Sequence, residues 1–240
     1  MKKFLITMDP GQRQDPAAVQ IYRAEPLYRQ GEPLLGQPTI VIVKDDLIAQ
    51  YSIADKRYTY LTDFVMDLLT IKEMVNQTIL GFDCTGVGQA VKDMLYDKGV
   101  VDMIPINYTS GGRVNIVYRD TQDKRFKAGE SLDFHVIDQY NVPKADLVDA
   151  ARLCLEQGDV RIRKGIAYRD QFENQLMRFR GKMTAKGYTS YNNDTDETHD
   201  DFANCFFMRC WIRQRMRETI LKTQNRLSTT QDETVDILSL

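Results

Sequence analysis

A chain of 240 residues that is 42% apolar and 28% charged has the make-up of one large or two small globular domains. No apolar run approaches the roughly 20 residues needed to cross a bilayer, and MKKFLITMDPGQ is too short for a signal sequence, so neither membrane insertion nor secretion is expected. With 32 basic against 34 acidic side chains the net charge is −2, which excludes a uniformly basic nucleic-acid binder.

KKFLITMD reads as a short apolar strand ending in an acid, Asp9. PGQRQDP follows as a turn-rich stretch in which Asp15 precedes Pro16, a turn residue that could also support a nearby site. AAVQIYRA, PTIVIVKDD and LIAQYSI read as three further strands. From about Thr59 to Asn76 the apolar spacing becomes helical, through Leu61, Phe64, Val65, Leu68 and Leu69. TILGFD is again an apolar strand ending in an acid, Asp83. GVG breaks it, QAVKDMLYDKG reads as a helix closed by Gly99, and VVDMIPI returns as a strand. Residues 108–140 are polar and glycine-punctuated, an inserted loop or hairpin. Pro143 opens a helix that Gly158 stops. VRIRKGIAYRD reads as a strand or hairpin, FENQLMRFRGKM as a short amphipathic helix, and KGYTSYNNDTDET as a polar loop into a last long helix. Phe202, Phe206, Phe207 and Trp211 are core residues of that helix. Residues 227–240 form a polar tail expected to be loose, leaving 1–226 as the domain.

Strand, helix, strand after Leu47 implies a parallel pairing through a right-handed crossover. The expectation is a mixed sheet with helices on its faces, a three-layer α/β domain. Asp9 and Asp83 would then emerge together at the carboxyl edge, where open α/β sheets bind ligands. The last helix opens on Asp200 and Asp201, which could complete a cluster of four carboxylates. Each acid also has a structural reading. The helix pair suits the helix dipole, with Thr198 as N-cap, Asp9 before Pro10-Gly11 suits a turn, and Asp83 suits a helix entry.

Assembled, four carboxylates repel and raise one another's pKa unless a hard cation relieves them. Mg²⁺ takes one or two carboxylates per ion, with waters and phosphate oxygens completing its shell. Two such ions can activate a water and stabilise the leaving oxygen of a phosphodiester. Asp9, on the central strand, is the expected bridge between them. His199 reads as a helix-entry residue, so a metal-activated water rather than a side chain is the expected nucleophile. Cys84, Cys154, Cys205 and Cys210 form no CxxC pair, and only His135 and His199 accompany them, so reduced thiols are expected rather than a zinc site or disulfide framework. GVGQAV is an incomplete dinucleotide fingerprint. Arg161, Arg163, Lys164, Arg169, Arg178, Arg180, Lys182 and Lys186 face only Asp170 and Glu173 in their stretch. That is either a solvated face or a surface for a phosphate backbone.

MDPGQRQDPAAV, ILGFDCTGVGQAVKDML, VPKADLVDAARLCLEQGDVRI and HDDFANCFFMRCW, in this order over about residues 3–212, resemble the nuclease domain of the large terminase subunit of tailed bacteriophages. The resemblance implies an RNase H-like fold, with a central mixed sheet of five or more strands and helices on both faces. It implies an endonuclease that cuts concatemeric double-stranded DNA during packaging, using two Mg²⁺ or Mn²⁺ ions. The family's acids fall on Asp9, Asp83 and the pair Asp200 and Asp201, with the direct ligand of that pair left open. Gly86 and Gly88 match a structural turn, and VRIRKGIAYRD matches a hairpin that contacts DNA near the site. The implied partners are double-stranded DNA, an ATPase motor, a portal and a small terminase subunit, in the cytoplasm of an infected bacterium. GxxxxGK[ST] is absent, so the match is to the nuclease half and ATP hydrolysis is not expected. Residues 108–140 are longer than the family pattern. Three other readings stay open: another RNase H-like nuclease such as a Holliday-junction resolvase, a non-catalytic docking module, and, weakest, a nucleotide-binding enzyme built on GVGQAV.

Overall fold

A computed structural model describes residues 2–11, 16–28, 40–54, 57–118, 138–183, 189–193 and 200–237. The chain runs through β1 (Phe4–Asp9), β2 (Ala17–Tyr28), β3 (Ile40–Ile53), α1 (Tyr58–Leu69), β4 (Thr78–Asp83), α2 (Gly88–Asp97) and β5 (Met103–Thr109). It continues through β6 (Asn115–Tyr118), β7 (Gln139–Pro143), α3 (Lys144–Gln157), β8 (Val160–Ile162), α4 (Arg169–Arg178), β9 (Phe179–Met183), β10 (Thr189–Asn193) and α5 (Asp201–Ile237). Among the described residues one sheet of eight strands has the order β6-β7-β5-β4-β1-β2-β3-β8, and β9 and β10 pair apart from it.

β1 explains why the domain has three layers. All six of its residues are buried, so both faces of the strand must be covered. Because side chains alternate along a strand, Phe4, Ile6 and Met8 face the layer of α1 and α2, packing with Leu61, Val65, Val91 and Leu95. Leu5 faces the opposite layer of α3, α4 and α5, with Ile79 of β4 and Phe206 of α5. β1 runs parallel to β4 and antiparallel to β2, which makes it the strand at which the sheet changes direction. The mixed three-layer α/β architecture read from the sequence is thus the one observed.

The middle of α5 is apolar around its circumference, as a helix enclosed on all sides must be. Phe202, Phe206, Phe207 and Trp211 are buried, as the sequence suggested. Phe206 meets Phe172 of α4 edge-on at 5.7 Å, and Trp211 meets Tyr140 of β7 at 5.5 Å. Gly81 of β4 lets the helix lie this close, since a Cβ there would come within 2.3 Å of Ile212 Cδ1.

Four local expectations need correction. PTIVIVKDD and LIAQYSI form the single strand β3, in which the charges at their junction are neutralised. Asp45 meets Arg209 and Arg213 of α5, and Asp46 meets Arg161 and Arg23. Of the strand or hairpin read for VRIRKGIAYRD, a short strand is observed and not the hairpin that the resemblance implied: β8 adds three residues in parallel to the edge of β3, and turns then lead to α4. The hairpin is formed instead by β9 and β10, which absorb the end of FENQLMRFRGKM and part of KGYTSYNNDTDET. The first helix stops at Leu69, with turns carrying the chain to β4. Of the 108–140 stretch, the end of β5, β6 and the start of β7 are described, with β6 antiparallel to β7 at the sheet edge. Residues 119–137, which include His135, lie outside the described residues, as do Asp15, Lys186, Thr198 and His199. α5 continues past Leu227 to Ile237. Among the described residues no helix is long and apolar enough to cross a membrane.

Candidate metal centre

β1 and β4 end side by side, with Met8 opposite Phe82, so Asp9 and Asp83 leave the same edge. By alternation both carboxylates point to the face that carries α5, since Thr7 and Gly81 share that face one pleat earlier. Two helices start at this edge. α3 follows β7 directly, which puts Lys144 at its first position. α5 begins with the carbonyl of Asp200 accepting the backbone N–H of Asn204, so Asp200 stands at the helix entry and Asn204 one turn on. The turn between β4 and α2 is held tightly. Gly86 has a positive φ of 58°, and a Cβ on Gly88 would lie 2.1 Å from the carbonyl oxygen of Asp83. Both glycines are therefore structural, as expected.

Asp9 is buried, 8% exposed. Its Oδ1 accepts the Gly11 N–H at 3.2 Å, and its Oδ2 accepts Nδ2 of Asn204 at 3.0 Å. The same amide donates to Oδ1 of Asp200 at 3.2 Å, so Asn204 bridges the two acids. Lys144 Nζ donates to Oδ2 of Asp200 at 3.1 Å and lies over the rings of Phe179 and Tyr108. Asp83 Oδ1 accepts the Thr85 N–H at 2.8 Å, and Thr85 Oγ1 accepts the N–H of Tyr108. Two buried oxygens here, Asn204 Oδ1 and the Tyr108 hydroxyl, have no hydrogen-bond partner.

Asp9 and Asp83 hold protons more tightly than exposed carboxylates do. Burial pushes Asp9 up, and the charge of Asp200 adds to it, against the opposing pull of Asn204, Gly11 and Lys144. Burial, then the charge of Asp9, pushes Asp83 up to about 7. Among the described residues no three Asp, Glu, His or Cys side chains already stand together as a ligand set. The donor chemistry nonetheless fits a hard cation. Two carboxylates are drawn together by a single amide, a third lies beside them, and Asn204 contributes a buried acceptor that nothing satisfies. One or two carboxylates per ion, with waters, is the usual Mg²⁺ environment.

Of the four acids singled out in the sequence, Asp9, Asp83 and Asp200 act on one another here. Asp201 is buried beside Cys205, whose thiol its charge helps to raise. The basic stretch divides. Arg161 lies on the edge strand, bonded to Asp46 and Glu25. Arg163 and Lys164 are exposed just after it, and Arg169 pairs with Glu173. Arg178 and Arg180 flank Phe179, which lies under Lys144, and Arg180 donates to the carbonyls of Met177 and Phe179; Lys182 lies further along β9. Lys144, Asn204 and Tyr108 were missed. A lysine at a helix start opposes the macrodipole, and an Asn one turn after Asp200 shares its face. Those were the available signals.

No family model matches the chain, and no curated protein does. Solved structures do. The chain is similar to the large terminase nuclease from thermophilic phage G20c, with 16% identity over 85% of this chain and 79% of that one and a TM-score of 0.51. The fold is that of a large terminase nuclease. It is the RNase H-like architecture expected from the motifs. Structures of the same phage nuclease with bound cobalt and bound magnesium are similar at TM-scores of 0.51 and 0.50, with 14% and 15% identity, each covering 86% of this chain and 79% of that one.

Proposed function

We propose that this chain is the nuclease of a viral DNA-packaging terminase, a divalent-metal-dependent endonuclease that hydrolyses phosphodiesters of double-stranded DNA. The observation that carries the reading is the convergence of Asp9, Asp83 and Asp200 at the carboxyl edge, with Asn204 bridging two of them. The bound magnesium and cobalt named for the similar phage nuclease lend support.

Asp9, Asp83 and Asp200 would hold Mg²⁺ or Mn²⁺, with Asp9 central; of the helix pair Asp200, which shares the Asn204 amide with Asp9, would be the direct ligand. The metal, when bound, supplies an activated water and charge stabilisation for the leaving oxygen. Asn204 holds Asp9 and Asp200 in register. Lys144 neutralises the cluster before substrate arrives and donates to a phosphate oxygen once DNA is seated. Arg178 and Arg180 take the backbone on either side of the cut, contacts that set position without reading sequence. Cleavage of concatemeric DNA would take place in the cytoplasm of an infected bacterium, with the motor, portal and small subunit delivering the substrate.

The test is nicking and linearisation of plasmid at low salt with Mn²⁺, Mg²⁺ or EDTA, comparing the wild type with Asp9→Asn. Metal-dependent cutting that Asp9→Asn abolishes is expected. A well-folded wild type that binds no Mn²⁺ and cuts neither plasmid nor a four-way junction would turn the reading to a docking module. Strong preference for the junction would turn it to a resolvase.

A further inference from the structure

Far from the acids, α3 and α5 bring together two cysteines that the proposed nuclease does not use. Cys154 lies ten residues into α3 from Lys144, and Cys210 lies ten residues along from Asp200. The two helices leave the site at the same edge and cross the same face of the sheet, so equal steps along each bring these positions side by side. The two thiols lie close enough for each to shift the other's hold on its proton. Arg209 reaches both, with Nη1 2.6 Å from Cys154 Sγ and 3.6 Å from Cys210 Sγ. The remaining nitrogens of Arg209 are anchored to Asp45 and to the carbonyl of Asp159, so the guanidinium cannot swing away.

The pair is sheltered but not sealed. Cys154 and Cys210 line a cavity of about 60 Å³, together with Leu153, Gln157, Arg209 and Arg217. One water needs roughly 10–15 Å³ by the same measure, so a molecule of peroxide size fits. Leu153 is 42% exposed at its rim. Burial pushes the Cys210 thiol up, and the other two cysteines contrast with Cys154 in the same way. Cys84 contacts Gln89, with burial pushing its thiol up to about 12, and Cys205 of α5 is bonded to the carbonyl of Ala18 in β2, with burial again pushing its thiol up. A thiol beside an arginine is the more reactive kind, because the nucleophile is the thiolate. The hydrogen bond from Cys210 and the nearby guanidinium hold the Cys154 thiol below the ordinary thiol value despite its burial.

We propose that Cys154 and Cys210 are a reversible oxidation site, in which a two-electron oxidant such as hydrogen peroxide converts the dithiol to a disulfide that staples α3 to α5. The Cys154 thiolate attacks one peroxide oxygen: the S–O bond forms, the O–O bond breaks, and the departing hydroxide leaves as water after taking a proton. The Cys210 sulfur then attacks the resulting sulfenic acid. The S–S bond forms, the S–O bond breaks, and a second water leaves with the Cys210 proton. One peroxide is reduced to two waters and two thiols become one disulfide. An excess of small-molecule dithiol reverses it by exchange.

The experiment uses the full chain, treated with hydrogen peroxide, blocked with N-ethylmaleimide, digested with trypsin without reduction and read by mass spectrometry. The expected product joins the peptide of residues 153–161 to that of residues 210–213. It should vanish with dithiothreitol and in both Cys154→Ser and Cys210→Ser, while Cys84 and Cys205 remain unoxidised. A sulfenic acid that persists on Cys154 without the cross-link overturns the proposal. So does no oxidation of either residue, or oxidation of Cys84 or Cys205 at an equal rate. The linked peptide is read from the wild type alone, so the result stands even if a serine variant folds poorly.

Discussion

Asp83 carries its proton unusually far up the pH scale, near 7 against an ordinary 3.8, because it is buried beside Asp9. Across that interval the folded protein keeps a proton that the unfolded chain has released. The group's contribution is therefore complete below 3.8 and is lost as pH rises through about 7. Without metal, the melting temperature should fall between pH 6 and pH 8 by more in the wild type than in Asp83→Asn, and Mn²⁺ at pH 8 should restore it. Equal pH dependence in the two proteins would refute this. Lys144 is the matching cation, and Lys144→Ala should lower the cleavage rate roughly 10²–10³-fold, the typical cost of removing one preorganised charge partner. Unchanged plasmid turnover would remove Lys144 from the site. The acids were legible as residues because each ended a strand or opened a helix. Lys144 and Asn204 were not, since one looked like an ordinary residue after a proline and the other like helix filler. Only the meeting of α3 and α5 gives them a role.

At the scale of elements, the turn from β4 to α2 and the interior of β3 bear the most strain on substitution. Gly88→Ala would press a methyl group onto the Asp83 backbone, which cannot yield without moving the carboxylate. Overpacking of this kind costs about 1–3 kcal/mol, so urea denaturation should show that loss together with reduced cleavage. Asp45→Ala would leave Arg209 and Arg213 buried without their counter-charge, a loss of about 3–5 kcal/mol in the same measurement. A change under about 1 kcal/mol there would mean that water already reaches the pair. The same aspartate shows why some elements were misread. KDD looks like the end of a strand because two charges in a central strand are expensive alone. Their partners lie about 160 residues away on α5 and at Arg161 and Arg23, beyond any local pattern. The hairpin was displaced for a related reason. VRIRKGI alternates as a strand should, whereas TSYNN does not, and tertiary pairing rather than alternation decided which became β10.

For the whole molecule, charge is a matter of placement. The net charge of −2 would keep DNA away were it evenly spread, but Arg178 and Arg180 flank the ring beneath Lys144 while Arg161 is committed to carboxylates at the far edge of the sheet. If those two arginines neutralise one phosphate each, DNA affinity should fall roughly tenfold between 50 and 200 mM salt. Arg178→Ala should flatten that slope, and cleavage should spread over many sites on any plasmid. A single preferred cut sequence would contradict backbone-only contact.

α5 ties the two ends of this layout together. Its first turn carries Asp200 and Asn204, and Arg209 and Arg213 pin it to Asp45 about 14–20 Å further on, at 1.5 Å per residue. The helix then runs on to Ile237, roughly 36 Å past that pin. Mechanically this is a beam on a fulcrum with unequal arms, short toward the carboxylates and long toward the C-terminus. A tilt of the long arm by some ångströms would arrive at the acids reduced about twofold. A partner that grips the far end of α5 would thus gain fine adjustment of the site rather than coarse displacement.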